Sequence, residues 1–125
     1  MVKKKILLVE DDDFFRELIF KKLQKEDFDV SASKNGNEAL SYLRTNAPDL
    51  VILDLILPDL SGYEILSAIK KEPRTQGAPV VVLSNLGQQE DDEKAKSLGA
   101  ADFMIKVNFT LEEIVEKIKN FLKEK

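Results

Sequence analysis

The sequence predicts an α/β fold, a doubly wound parallel sheet with helices on both faces. Three observations predict it. Short apolar or β-branched runs alternate with stretches of helical spacing along the whole chain. Runs such as Val80-Val81-Val82-Leu83 are apolar without interruption, as strands buried on both faces must be. Finally, acids follow two runs directly: Glu10 and Asp11 after Ile6-Leu7-Leu8-Val9, and Asp54 after Leu50-Val51-Ile52-Leu53. Neighbouring parallel strands would bring these three carboxylates to one sheet end, where doubly wound sheets bind their ligands.

Each element has its own justification. Strands are expected at residues 5 to 9, 28 to 32, 50 to 53, 79 to 83 and 102 to 105. The first helix follows Asp12 or Asp13 as cap, with Phe15, Leu18, Ile19 and Leu23 on one face toward the sheet. A second fits 37 to 45, with Ala39, Leu40 and Leu43 inward. A third runs from about Ser61 to Lys71 on Ile65, Leu66 and Ile69, before Pro73 and Gly77 break the chain. The fourth, roughly Gln88 to Leu98, has little apolar surface beyond Ala95 and Leu98, so it is expected to be the least firmly held; Gly99 suits its C-terminal cap. The last is the clearest, because Leu111, Ile114, Val115, Ile118 and Leu122 recur behind a Thr110-Leu111-Glu112-Glu113 start that reads as a capping box. Right-handed crossovers then place helices on both sides of the sheet.

Composition removes several classes of chemistry. A chain of 125 residues fits one domain, here taken as residues 1–125. Lys+Arg 19 against Asp+Glu 23 gives a net charge of -4, which argues against direct nucleic-acid or anionic-membrane binding through overall basicity. With no Cys and no His there are no disulfides, thiolate nucleophiles, ordinary zinc sites or His-based catalytic devices. The N-terminal apolar run meets four acids at once, too short for a signal peptide or a membrane span, so a cytoplasmic location is expected.

The residues that follow the strands form one set: Glu10 and Asp11 after the first, Asp54 after the third, Ser84 after the fourth and Lys106 after the fifth. Singly, each has a plainer reading as helix cap, loop acid, turn residue or solvated charge. Together they suit a hard cation and a phosphoryl group. Mg²⁺ takes one or two carboxylates and keeps several waters, and Asp11 and Asp54 supply those ligands with Glu10 close behind. A carboxylate is also a nucleophile toward a phosphoryl donor once a cation offsets its charge. Lys106 would act on the phosphoryl oxygens as a point charge and the Ser84 hydroxyl as a hydrogen-bond donor.

These residues resemble the receiver domains of two-component response regulators. The likeness rests on Ile6-Leu7-Leu8-Val9-Glu10-Asp11-Asp12, Leu53-Asp54 followed by Leu57-Pro58-Asp59-Leu60-Ser61-Gly62, Val82-Leu83-Ser84, and Gly99-Ala100-Ala101-Asp102-Phe103 before Lys106. It covers essentially the whole chain. The resemblance implies a flavodoxin-like strand order 2-1-3-4-5, Asp54 as phosphoacceptor, Glu10 and Asp11 as the acidic pair with Asp11 the closer Mg²⁺ ligand, and the Ile56 carbonyl as a further ligand. It implies a sensor histidine kinase or phosphotransfer protein as donor, and a self-phosphorylating and self-dephosphorylating signalling domain rather than a turnover enzyme. Phe103 matches an aromatic that changes rotamer with the hydroxyl residue; its plainer reading is a strand aromatic at the core edge. The signalling surface would be the fourth helix, fifth strand and fifth helix, with a downstream protein, a phosphorelay step or a homodimer on activation as the output.

Two positions depart from that pattern. Val107 follows Lys106 where the family usually has a proline joined by a cis bond; a cis Lys-Val bond would cost about 3 kcal/mol, so a trans bond and an altered loop are expected. Asn85 stands where a small residue is usual, beside the phosphoryl entrance, and should alter phosphorylation and dephosphorylation rates. Other readings are an aspartate-nucleophile phosphohydrolase built on Asp11-Asp12-Asp13, a flavin-binding domain, and a phosphorylation-independent adaptor. Phe15 and the short chain oppose the first. Four acids where a phosphate cradle wants N–H donors oppose the second.

Overall fold

A computed structural model describes residues 2–85 and 89–123. The elements run β1 (Lys5–Val9), α1 (Asp13–Lys25), β2 (Asp29–Ser33), α2 (Gly36–Thr45), β3 (Leu50–Leu53), α3 (Gly62–Lys71), β4 (Val80–Ser84), α4 (Gln89–Ser97), β5 (Asp102–Ile105) and α5 (Leu111–Leu122), with a 3-10 turn over Lys106–Asn108. All strand pairs are parallel, in the order β2-β1-β3-β4-β5. The winding therefore reverses at β1, and a crevice opens between the carboxyl ends of β1 and β3. No described helix is long and apolar enough to cross a membrane.

The period of two within each strand sorts the core into two layers. Ile6, Leu8, Ile52, Val81, Leu83 and Met104 face α1 and α5, meeting Ile19, Leu23, Ile114, Val115 and Ile118. Leu7, Val9, Val51, Leu53, Val80 and Val82 face α2, α3 and α4, meeting Ala39, Leu43, Ile65, Leu66, Ile69 and Ala95. Burying each of the larger aliphatic side chains contributes about 1.5–3 kcal/mol before conformational entropy is set against it. The predicted inward faces hold with one adjustment. Among the described residues Leu18 does not join either core layer, whereas the half-buried Phe20 packs against the α1 layer with Phe15.

Caps set the helix starts. Asp12 accepts from the Phe15 N–H at 2.8 Å and Asn35 from the Glu38 N–H at 2.8 Å. Ser61 with Glu64 and Thr110 with Glu113 form capping boxes. Two strands start one residue later than the sequence suggests. The Phe28 N–H is still held by the Leu23 carbonyl after Asp27 turns through φ 71, which delays β2. Pro79 has no N–H for the ladder, so β4 opens at Val80 and extends to Ser84, which pairs with Ile105. Gly99, at φ 107, ends α4 as expected.

Helix α4 has Ala95 as its one buried residue among those described, in keeping with its thin apolar stripe; the expected start at Gln88 lies outside the described residues. Polar contacts compensate in part. The Tyr63 hydroxyl on α3 donates to Asp91 Oδ1 at 2.8 Å, and Lys94 Nζ lies 4.2 Å from the centre of the Tyr63 ring. Burial and the adjacent Asp91 push the Tyr63 phenol up to about 12.

Candidate functional site

The sheet delivers its side chains to the β1/β3 crevice by register. Val9 pairs with Leu53 and Leu53 with Val82, so the residues beyond them emerge together. The main chain continues the ladder: the Asp54 N–H donates to the Val9 carbonyl and the Glu10 N–H to the Ser33 carbonyl, both at 3.0 Å. Glu10, Asp54 and Ser84 are buried at 2%, 5% and 0% exposure, while Asp11 is open to solvent.

Both oxygens of Asp54 are held. Oδ1 accepts the Ser84 hydroxyl at 2.9 Å and the Ile56 N–H at 3.1 Å; Oδ2 accepts the Lys106 ammonium at 2.9 Å. The same ammonium lies 2.6 Å from Glu10 Oε1, so it bridges the two buried carboxylates. The ammonium also lies over the Phe15 ring, 4.8 Å from its centre. Burial pushes the Glu10 carboxyl up from 4.5 to about 7, with the nearby Asp54 charge adding to it and Lys106 and the Asp12 N–H opposing. Burial alone would lower Lys106, but its hydrogen bonds to the two carboxylates outweigh that and raise it.

Glu10, Asp11 and Asp54 each offer a carboxylate oxygen within 4.8 Å of the others, one exposed and two buried. That donor set, oxygen only and anionic, fits a hard divalent cation such as Mg²⁺. The Ile56 carbonyl belongs to the loop that follows Asp54, where Ile56 and Ser61 form an antiparallel bridge. Phe103 is half-buried against the α2–α4 layer, and its N–H is held by Asp102 Oδ1 at 2.8 Å. The Lys106–Val107 bond is trans, as expected; Val107 is 82% exposed in the 3-10 turn. Asn85 is exposed beside Ser84.

Every residue expected at the site except Phe103 thus converges on, or immediately flanks, the crevice. Sequence reasoning missed Arg16 and Phe15. Arg16 Nη1 donates to the Glu10 carbonyl at 2.9 Å and Nη2 to Asp13 Oδ1 at 2.6 Å, fixing the acidic loop from α1. The i,i+3 Asp13–Arg16 spacing was the available signal. The sequence marks Phe15 as a core residue and as an obstacle to a phosphohydrolase motif, and its place under Lys106 has no local signature.

Fold and site together define a doubly wound domain with a pocket of carboxylates, Glu10, Asp11 and Asp54, at the switch point. Residues 6–119 match the response regulator receiver domain family. The phosphate regulon transcriptional regulatory protein PhoB of Rhizobium meliloti is 32% identical over 119 residues, covering 95% of this chain and 52% of that protein. The regulatory protein VanRc of Enterococcus gallinarum is 34% identical over 122 residues, 98% of this chain and 51% of its own. The chain therefore spans about half the length of the curated relatives it matches. Among solved structures, the phosphorylated cyanobacterial phytochrome response regulator RcpA superposes with a TM-score of 0.86 at 34% identity, covering 96% of this chain and 94% of that one. The chain belongs to the receiver domain family of two-component response regulators.

Proposed function

We propose that Asp54 accepts a phosphoryl group from a sensor histidine kinase or phosphotransfer protein and that the phosphorylated domain signals to a protein partner through α4, β5 and α5. The observation that carries this reading is the environment of Asp54: a buried carboxylate at a switch point, gripped by Ser84 and Lys106, with two further acids in ligand range. An Asp54 oxygen attacks phosphorus in line, the new P–O bond forms, and the bond to the donor's nitrogen breaks with its electron pair leaving on the donor. Glu10, Asp11, Asp54 and the Ile56 carbonyl would hold Mg²⁺, whose charge offsets the repulsion between the acids and the incoming phosphoryl group. Lys106 then exchanges a carboxylate partner for a phosphoryl oxygen, and Ser84 donates to another.

Attack of water on the acyl phosphate reverses the change, so the domain is a timed switch on itself rather than a turnover enzyme. Asn85, exposed beside Ser84, would act on the lifetime of the phosphorylated form, either by hindering access or by hydrogen-bonding the phosphoryl group. The redirected Ser84 hydroxyl and the half-buried Phe103 beside α4 supply the differential contacts that shift the output face.

The test is intact mass after incubation with acetyl phosphate and Mg²⁺. A gain of one phosphoryl group is expected, lost in EDTA and lost in Asp54→Ala. No gain at any time, short times included, would favour a phosphorylation-independent adaptor instead.

A further inference from the structure

The loop between β3 and α3 is closed on itself near the pocket. The Gly62 N–H donates to the Leu55 carbonyl at 2.9 Å, behind the Ile56–Ser61 bridge. Its far end is tied to a different element. Asp59 Oδ1 accepts the Gly36 N–H at 2.8 Å and the Leu60 N–H at 2.9 Å, and Oδ2 accepts the Asn37 N–H at 2.9 Å. The first two free N–H groups of α2 are therefore satisfied by a residue of the β3–α3 loop, while Asn35, the helix's own cap, serves Glu38. Desolvation pushes the Asp59 carboxyl up, and the hydrogen bonds from Gly36, Asn37 and Leu60 together outweigh it and hold the group below its ordinary 3.8.

The apposition is close as well as hydrogen-bonded. A Cβ on Gly36 would lie 2.8 Å from the Cβ of Leu60, so only glycine lets α2 approach the loop this far. We infer that Asp59 is a positioning residue of the phosphoacceptor pocket: it clamps the β3–α3 loop to the N-terminus of α2 and so fixes the segment that carries the Ile56 carbonyl. The inference rests on the proposed Mg²⁺-dependent phosphoacceptor function. Asp59 touches no reacting atom; it acts through the backbone it holds, as residues behind a metal ligand do.

The experiment titrates Mg²⁺ by calorimetry into the wild-type chain, Asp59→Ala, Asp59→Asn and Asn35→Ala, with urea denaturation of each. Asp59→Ala is expected to weaken Mg²⁺ binding about tenfold. Asp59→Asn, which keeps one carbonyl acceptor, is expected to retain part of the affinity. Asn35→Ala removes a cap from the same helix end without touching the loop, and should lower stability with Mg²⁺ affinity unchanged. Equal affinities in Asp59→Ala and Asn35→Ala would overturn the inference and leave Asp59 a helix cap. Equal losses in Asp59→Ala and Asp59→Asn would overturn it in favour of long-range charge. A wild-type chain that takes up no Mg²⁺ would overturn the function on which it rests, a result distinct from the other two.

Discussion

Lys106→Ala is expected to lower stability by about 3–5 kcal/mol at mildly alkaline pH and by much less at mildly acidic pH. The ammonium is the cation bridging Glu10 and Asp54, and removing it leaves two buried carboxylates facing each other. The direction with pH follows from Glu10. Its folded value, about 7, lies above its ordinary 4.5, so between those values the folded protein holds a proton that the unfolded chain has released. That contribution is complete below 4.5 and is lost as pH rises through about 7. Without Lys106 the Glu10 value rises further, and the decline continues to higher pH. Mg²⁺ should return much of the lost stability, since binding to the folded state alone stabilises it. Urea denaturation of both proteins across pH, with and without Mg²⁺, checks this. A variant as stable as the parent at every pH would show that water already screens the two acids.

Gly62→Ala is the second large effect. A Cβ there would stand 2.5 Å from both the Asp54 carbonyl oxygen and Leu55 Cα. Neither neighbour is a side chain that could swing aside, so the backbone of Asp54 and Leu55 itself must move. The helix propensity gained at the first turn of α3, about 1 kcal/mol, opposes this but does not remove the overlap. A net loss of about 1–3 kcal/mol is expected, together with slower labelling by acetyl phosphate. Gly77→Ala is the control, because nothing lies within 4 Å of the Cβ it would carry. Equal stability of the two variants would mean that the β3–α3 junction yields more easily than its packing implies.

The fold was legible because its signals are local. Uninterrupted apolar strands and helix caps within three or four residues of their targets need no tertiary knowledge. The pocket was legible for a related reason: in a parallel sheet the residue after each strand is delivered to the same edge, so Glu10, Asp11, Asp54 and Ser84 could be placed from strand ends alone. What escaped were contacts joining elements far apart in sequence. Asp59 reaches α2 across 23 residues, and Tyr63 reaches Asp91 across 28. Nothing in either local segment distinguishes these groups from ordinary surface polar residues. Arg16 had a visible partner in Asp13, yet its bond to the Glu10 carbonyl depends on how α1 leaves the sheet.

The tyrosine at the α3–α4 seam also makes the protein its own optical probe. The chain has no Trp and two Tyr, so near-ultraviolet emission comes chiefly from Tyr42 and Tyr63. Tyr63 follows Gly62, which abuts the Asp54 backbone, and its hydroxyl is hydrogen-bonded to Asp91 on α4. With Tyr42→Phe as background, a change in emission reports the parting or closing of that seam in real time. Any rearrangement of α4 against α3 can then be followed without a dye, a tag or a partner in the cuvette.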